Sequence, residues 1–507
     1  MSNRVRAGLA ALSGLLLFLG HPPFSLWFFA PISLALLCGL WVTGTRKQAF
    51  ISGLISGAVC NTGLLYWIPK LMQEGLVVAL GAGMILFIAF QSLWPALTAL
   101  LTRRAAEPYR TRALLLFPLL WTGQEKLREL GEMSFPWITT GYTYGGSDAL
   151  IQALSIGGVH LYTFLIALSA VLLFVAFTSR KRPAAAAAPL LIVFLLHAGL
   201  FAYGTLRLRW PLTGKPLTVA LLQSNVDSYA KWNRTFTDSI VELQLRMTRE
   251  AAESGNIDLV VWAESALPAY FKHHALYRYR VQRLSDSLNL PLLFGSIDYE
   301  TNKAARRGYD FFCSAFYVRP GLPPHKYDKM RLVPFGERLP FQGFFPLISR
   351  VDLGGGDFTP GRELRLFDLK GVRFFTPICY EVVYPDHIRA FARAGGQVMF
   401  EITNDGWYGR SGMPYQHMNI MRFRAVENGI PAAQCANTGI TAFVDAYGRQ
   451  SPAPDIYTRA TVTRTLDVAP VTTFYRRHGD LVGWCCLFAL ILYLLSVVFR
   501  PLLPGKP

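Results

Sequence analysis

The sequence predicts a polytopic α-helical membrane domain of about eight spans, with an α/β domain inserted before the last span. Of the 507 residues, 52% are hydrophobic and only 16% are charged, whereas soluble domains average roughly 25% charged residues. A segment of short strand-like and helical runs interrupts the long apolar stretches. We therefore predict a membrane domain at 1–212, an extramembrane domain at 213–470, and the last span with its tail at 471–507.

Eight apolar stretches meet or approach the length of about 20 residues that a helix needs to cross a bilayer. The first follows Arg4 and Arg6, as in a signal peptide. It lacks an Ala-x-Ala cleavage site and runs into further apolar segments, so we predict that it stays as a span. The fifth is short. The predicted spans lie at roughly 7–22, 25–43, 49–69, 75–101, 113–123, 158–178, 186–205 and 480–499.

Basic residues are concentrated on one side of the predicted membrane, and the opposite short loops carry few. The basic clusters lie at 4–6, 46–47, 103–112, 180–182 and 500–506. The positive-inside rule therefore places both termini in the cytoplasm and the extramembrane domain on the outer face. Because the net charge of +18 comes with these short clusters rather than a continuous basic stripe, the sequence argues against nucleic-acid binding.

The extramembrane segment alternates between short runs rich in β-branched and aromatic residues and longer helical stretches, which predicts a layered α/β domain. The predicted strands are 217–226, 259–263, 291–297, 311–318, 372–378, 398–403, 432–444 and 460–468. The predicted helices are 236–253, 277–287, 386–394 and 415–428. None of the seven cysteines has the spacing typical of a metal site, so we predict no metal and no cofactor.

Three polar residues beside strand-like runs have the chemistry needed for acyl transfer through a thioester. Cys379 supplies a thiol, which needs a base or a nearby cation because its ordinary pKa is about 8.5. Glu264 is a candidate base for that thiol, and Lys329 is a candidate cation for the oxyanion. His417 is an alternative, papain-like base. Taken singly, each residue also fits a structural role: a capping glutamate, a solvated lysine or a packed cysteine.

The strings around these residues are more specific than the residues themselves. Trp262-Ala-Glu264-Ser-Ala-Leu-Pro268, Lys329 within 327–337, and Ile378-Cys379-Tyr380-Glu381 resemble the Glu-Lys-Cys triad of the nitrilase superfamily. The sequence is still more similar to a membrane-bound branch, the apolipoprotein N-acyltransferases. This resemblance extends over most of the chain. Further matching segments are 20–27, 135–142, 222–225 with Lys231-Trp232, 403–409 and 416–427.

The resemblance implies a nitrilase-like α-β-β-α sandwich in the inner membrane of a bacterium, with the catalytic domain on the periplasmic side. It implies transfer of an acyl chain from a phospholipid to the α-amine of an N-terminal diacylglyceryl-cysteine in an apolipoprotein. Cys379 would be the nucleophile, Glu264 the general base and acid, and Lys329 the oxyanion stabiliser. Four neighbours would support the substrate site, namely Trp232, Glu337, Tyr380 and Glu381. Alternatively, Glu337 and Glu381 are salt-bridge partners of Arg331 or Arg338.

Both implied substrates carry acyl chains, so the active site is expected to open toward lipid. Two apolar stretches, 267–271 and 339–348, are predicted to be mobile lids, with Phe341, Phe344 and Phe345 facing the acyl chains. Ordinary loop packing is the alternative. Two other functions stay open: a membrane-tethered amidase that hydrolyses its thioester, and a transporter or scaffold without chemistry. A transporter would show charged or broken spans and internal repeats, neither of which is clear here.

Overall fold

A computed structural model of the protein describes residues 1–71, 77–109, 114–305, 308–342 and 357–499. The chain divides into two compact units. One comprises Met1–Arg209 with His478–Pro507, and the other comprises Trp210–Arg477. The first is helical and the second is built on two β-sheets.

The helical unit contains a helix at each of the eight predicted spans. These helices are α1 (Asn3–Gly20), α2 (Phe29–Thr43), α3 (Arg46–Leu65), α4 (Val77–Tyr109), α5 (Phe117–Leu127), α6 (Leu154–Thr178), α7 (Pro183–Arg207) and α13 (Leu481–Phe499). Within the described residues, five of them, α3, α4, α6, α7 and α13, include segments long and apolar enough to cross a membrane. The predicted count of about eight is therefore not established. Helix α5 has only 11 residues, and α2 has only 15.

The surface of α7 is that of a helix facing lipid. Of its 25 residues, only Pro189, Gly204 and Arg207 are buried, while large apolar side chains such as Phe194 and Phe201 are exposed. An apolar patch of this size is unusual on a soluble protein and marks a membrane or partner surface. The helical unit therefore has the surface of a membrane protein.

The interior of the helical unit holds a buried ion network. Lys126 of α5 lies with its Nζ 2.6 Å from Glu129 Oε2 and 3.1 Å from Asp480 Oδ2. His160 of α6 reaches the same Asp480 oxygen at 2.7 Å. Asp480 also accepts a hydrogen bond from the backbone N–H of Gly483 at 2.8 Å, within the first turn of α13. The network therefore ties the last helix to two earlier ones.

The second unit contains two sheets in the described residues. The first consists of β1 (Lys215–Gln223), β2 (Leu259–Trp262), β3 (Leu267–Tyr270), β4 (Leu292–Thr301), β5 (Tyr309–Arg319), β6 (Leu322–Asp328) and β12 (Ala460–Val468). The second consists of β7 (Phe367–Leu369), β8 (Val372–Phe375), β9 (Val398–Thr403), β10 (Ala432–Ala436) and β11 (Ala442–Val444). Their orders are β12-β1-β2-β4-β5-β6, with β3 beside β4, and β11-β10-β9-β8-β7.

Helices cover the outer faces of both sheets. They are α8 (Arg234–Glu253), α9 (Ala275–Leu288), α10 (Pro385–Arg393) and α11 (Met413–Asn428), and the short α12 (Phe474–His478) follows β12. Helices α8 and α9 share one buried apolar cluster with β2 and β4, and Phe391 of α10 stacks on Phe375 of β8 at 4.8 Å. Between the sheets, the Cys435 thiol donates to the Val261 carbonyl at 3.3 Å. The unit is an α-β-β-α sandwich, as predicted.

Strand prediction failed where proline or short length hid the pattern. All eight predicted strands exist, but the run at 432–444 is two strands, β10 and β11. The edge strand β6 went unpredicted because it carries Pro323 and Pro324, which are tolerated only at sheet edges.

The prediction of a lid at 267–271 is wrong. This stretch forms β3, and Phe271 is 1% exposed against Phe294 and Phe316.

The sheet architecture brings the ends of several strands together. Strands β1, β2 and β4 run parallel in one sheet, and β8, β9 and β10 run parallel in the other. Glu264 follows β2, Cys379 follows β8 and Asn404 follows β9. A Cβ added at Gly295 of β4 would lie 2.7 Å from the Cα of Glu264, so glycine is required for this close approach.

Candidate active site

Cys379 begins a tight 3-10 turn, Cys379–Val383, just beyond β8. Its φ of +50° is in the left-handed region, which costs a non-glycine residue roughly 1–2 kcal/mol. Such conformations cluster at functional sites, where surrounding contacts hold them. The residue is 8% exposed, so the thiol is nearly enclosed.

Lys329 follows β6 and lies between two carboxylates. Its buried Nζ is 2.7 Å from Glu337 Oε1 and 3.5 Å from Glu264 Oε1. The other Glu337 oxygen accepts the backbone N–H of Val333 at 2.9 Å. Burial alone would lower the pKa of Lys329, but Glu337 and Glu264 raise it well above its ordinary value. Lys329 is therefore a permanent cation.

Glu264 is positioned from both sheets. Its Oε2 accepts the backbone N–H of Asn404 at 3.0 Å, and its Oε1 lies 3.8 Å from the thiol of Cys313. Burial raises the pKa of the Cys379 thiol; the negative charge of Glu264 raises it further, while Lys329 opposes the rise. The resting thiol is therefore neutral, and a base must take its proton when it attacks.

Glu381 connects the Cys379 turn to the end of β6. Its Oε1 accepts hydrogen bonds from the Tyr327 hydroxyl and the Met330 N–H, both at 2.7 Å, and from the Arg331 N–H at 3.1 Å. Its Oε2 accepts the Ile378 N–H at 2.9 Å. These contacts make Glu381 a scaffold for the site. The sequence left two roles open for Glu337 and Glu381, either in the substrate site or in salt bridges to Arg331 or Arg338. In the structure Glu337 lies against Lys329, and Glu381 accepts a hydrogen bond from the backbone N–H of Arg331.

Removing the Glu381 carboxylate is expected to damage both folding and chemistry. Glu381→Ala leaves several buried donors without an acceptor, each costing about 1–3 kcal/mol, so we expect a lower unfolding temperature and slower alkylation of Cys379 by iodoacetamide. Glu381→Gln, which keeps one acceptor oxygen, should lose less of both. An alanine variant as stable and reactive as the wild-type protein would contradict this role.

The structure separates the two residues of the Lys231-Trp232 pair. Trp232, predicted at the substrate site, is 43% exposed, whereas Lys231 is 2% exposed. Tyr380 is buried and packs edge-on against Tyr384 at 5.5 Å; a role for its backbone N–H stays a prediction. Sequence reasoning missed Lys231 and Cys313 as site residues. Lys231 was present in a matching segment, but Cys313 carries no local signal.

His417 does not fit the alternative role of base for Cys379. Its Nε2 lies 2.8 Å from Glu401 Oε1 and 3.3 Å from the Cys379 carbonyl oxygen, and its Nδ1 lies 3.1 Å from Asp405 Oδ1. Burial lowers the pKa of His417, but Glu401 and Asp405 raise it well above its ordinary value. The ring is therefore an imidazolium at neutral pH and cannot accept a proton.

The second predicted lid is only partly described. Phe341 is 40% exposed, while Phe344 and Phe345 lie outside the described residues, so the lid stays a prediction.

A metal is a poor fit to the acidic cluster at this site. Glu264, Cys313 and Glu337 present ligand atoms within 4.8 Å of one another. The Lys329 ammonium already lies against both carboxylates and supplies the positive charge there.

Comparison with known proteins identifies two domains in the chain. Residues 13–172 match the apolipoprotein N-acyltransferase N-terminal domain, and residues 218–476 match the carbon-nitrogen hydrolase domain. The chain is 35% identical to the apolipoprotein N-acyltransferase of Geobacter metallireducens, covering 94% of this chain and 92% of the relative. It is 29% identical to that of Chlorobaculum tepidum, covering 94% of each.

Among solved structures, Saccharomyces cerevisiae Nit3, a nitrilase-superfamily member, is similar at 17% identity and a TM-score of 0.40. The match covers 54% of this chain and 97% of that one. From the two matched domains and the near full-length identity to the Geobacter protein, the chain belongs to the apolipoprotein N-acyltransferase family.

Proposed function

We propose that this protein transfers a fatty acyl chain from a phospholipid to the α-amine of an N-terminal S-diacylglyceryl-cysteine, through a thioester on Cys379. The observation that carries the proposal is the grouping of Glu264 and Lys329 around the buried Cys379 thiol. Membership of the family and the apolar helices support lipid substrates.

In the first half-reaction, the Cys379 sulfur attacks the ester carbonyl of the phospholipid while Glu264 takes the thiol proton. The tetrahedral oxyanion forms beside the Lys329 ammonium, whose charge stabilises it. When the intermediate collapses, the C–O bond breaks and Glu264 returns the proton to the leaving alcohol. The products are a lysophospholipid and an acylated Cys379.

In the second half-reaction, the neutral α-amine of the acceptor attacks the thioester carbonyl. A second oxyanion forms at the same place, and Glu264 accepts a proton from the nitrogen. Collapse breaks the C–S bond, and Glu264 returns the proton to the Cys379 thiolate. The acceptor leaves as an amide, and the enzyme is restored.

The membrane setting favours transfer over the alternative, an amidase that hydrolyses the same thioester. Withdrawing an acyl chain from the bilayer costs about 0.8 kcal/mol per CH₂. An enzyme in the membrane can bind both the donor lipid and the acceptor lipid without withdrawing their chains. We further propose that the second unit lies on the periplasmic side of the inner membrane with both termini in the cytoplasm. The basic clusters of the connecting segments support this orientation.

The decisive experiment looks for the intermediate. Purified protein is incubated with phospholipid, and mass spectrometry of its peptides should find a hydroxylamine-sensitive acyl group on Cys379. A diacylated lipopeptide with a free α-amine should then discharge it, and an N-acetylated lipopeptide should not. No adduct would overturn the mechanism, and discharge by water at the rate seen with the lipopeptide would favour the amidase.

Replacing Lys329 tests the oxyanion role. Lys329→Met removes the ammonium that lies between Glu264 and Glu337, so acyl-adduct formation should fall about 10²–10³-fold. The rate is measured by quenched mass spectrometry under single-turnover conditions. Lys303→Met, an exposed lysine of the same unit, is the matched control. A fall of less than about threefold in a folded Lys329→Met protein would contradict the role.

A further inference from the structure

Lys231 is a second lysine at the active site that the mechanism above does not use. It lies in the short turn Ala230–Trp232 after β1, and its side chain is buried although the neighbouring Trp232 is exposed. The Lys231 Nζ is 5.7 Å from the centre of the Trp232 ring. A lysine is almost never fully buried unless it is paired, so this position needs an explanation.

Asn404 joins Lys231 to Glu264. With its side-chain oxygen turned toward the neighbouring donors, the Asn404 amide accepts from Lys231 Nζ at 2.9 Å and from Trp407 Nε1 at 3.1 Å. The backbone N–H of the same residue donates to Glu264 Oε2 at 3.0 Å. Asn404 therefore links Lys231 to the candidate base, Glu264, by two hydrogen bonds.

The charges around the thiol show what Lys231 adds. Glu264 and Glu337 are two acidic groups, and Lys329 alone would face both of them together with any thiolate. If Glu264 takes the Cys379 proton, the thiolate and Glu337 are the two anions of the site, and a second ammonium balances them. Asp405 also faces Cys379, but it is paired with His417.

We propose that Lys231 is a second cation of the active site, which stabilises the Cys379 thiolate and the oxyanions that form from it. Its charge acts on the thiolate from a distance, and its contact with Asn404 helps to position Glu264. Lys329 lies directly against the two carboxylates. Burial lowers the pKa of Lys231 to about 8, with the nearby Glu264, Cys313 and Cys379 opposing that fall. The lysine is therefore largely charged at neutral pH.

The test is the pH dependence of Cys379 alkylation by iodoacetamide, followed by peptide mass spectrometry. Removing a nearby positive charge disfavours the thiolate, and such charges shift a pKa by about one unit or more. In Lys231→Met the reaction should therefore be roughly tenfold slower at pH 7, and the difference from the wild-type protein should disappear above pH 8, where Lys231 itself loses its charge. Lys231→Arg, which keeps the charge, should recover the wild-type rate at pH 7.

Two further variants keep the test conclusive. Lys231→Gln is neutral but retains a donor for Asn404, so it should show the same loss of rate at pH 7 even if Lys231→Met fails to fold. Lys303→Met, which replaces an exposed lysine, should leave the profile unchanged. A wild-type rate at pH 7 in Lys231→Gln, or an equal loss in Lys231→Arg, would overturn the proposal.

The proposal concerns the same site as the proposed function, but alkylation requires neither a lipid nor an acceptor. If the alkylation rate at pH 7 falls as expected and no acyl adduct ever forms, the role of Lys231 stands and the acyltransferase mechanism fails. If the adduct forms and the alkylation rate does not fall, the reverse holds.

Discussion

Cys379→Ala is expected to abolish acyl transfer, with a loss of at least ~10⁴-fold, because the substitution removes the sulfur that carries the acyl chain in the proposed mechanism. The readouts are the hydroxylamine-sensitive adduct and the N-acylated lipopeptide, both followed by mass spectrometry. The variant should remain folded, since alanine is compatible with a buried position and only the sulfur is lost.

Two other cysteines make this prediction specific. Cys485 is exposed on the last helix, so Cys485→Ala should retain full transfer. Cys313 lies 3.8 Å from Glu264 and is the competing thiol nearest to the candidate base. Cys313→Ala should still carry the adduct on Cys379. If Cys379→Ala retained transfer and carried an acyl group on Cys313, the assignment of Cys379 as the nucleophile would be wrong.

Asp480→Ala is expected to produce the largest loss of stability, about 3–5 kcal/mol in the free energy of unfolding. The substitution removes the carboxylate that lies against the buried Lys126 and His160, and it removes the acceptor for the first turn of α13. The measurement is denaturant-induced unfolding in detergent micelles, followed by circular dichroism.

A surface ion pair of the same unit is the control. Arg46 and Glu107 form an exposed pair, and Glu107→Ala should cost less than about 1 kcal/mol. In the double variant Asp480→Asn with Lys126→Met, one charge of each sign is removed, so part of the loss should be recovered. An Asp480→Ala protein as stable as Glu107→Ala would show that the network does not hold the last helix.

Periodicity in the sequence predicted most of the elements because each is long enough to show its own pattern. The edge strand β6 was missed because Pro323 and Pro324 mask it, although Lys329 directly follows it. Phe271 looked like part of a lid because an apolar side chain carries no sign of whether it faces a core or a lipid. The residues next to Phe271 in the sequence do not distinguish a side chain that packs in a core from one that faces lipid.

The candidate site was predicted only where motifs marked it. Glu264, Lys329 and Cys379 stood in recognisable strings, and Glu337, for which two roles were left open, lies 2.7 Å from the Lys329 ammonium. Cys313 could not be found, because its approach to Glu264 depends on the pairing of β4 with β5 and of β2 with β4. Lys231 was overlooked in favour of Trp232. The two residues are adjacent in one turn, and the conformation of that turn, which the sequence does not show, decides which side chain is buried.

The contacts of Glu381 have a consequence for how two different lipids can use one site. By accepting hydrogen bonds from Ile378 on one side and Met330 on the other, this carboxylate ties the chain before Cys379 to the chain after Lys329. In the proposed mechanism the donor and the acceptor use these same catalytic groups in turn. Selection between them must then depend on which molecule gains entry, so we expect order of binding, rather than rearrangement of the catalytic groups, to govern turnover.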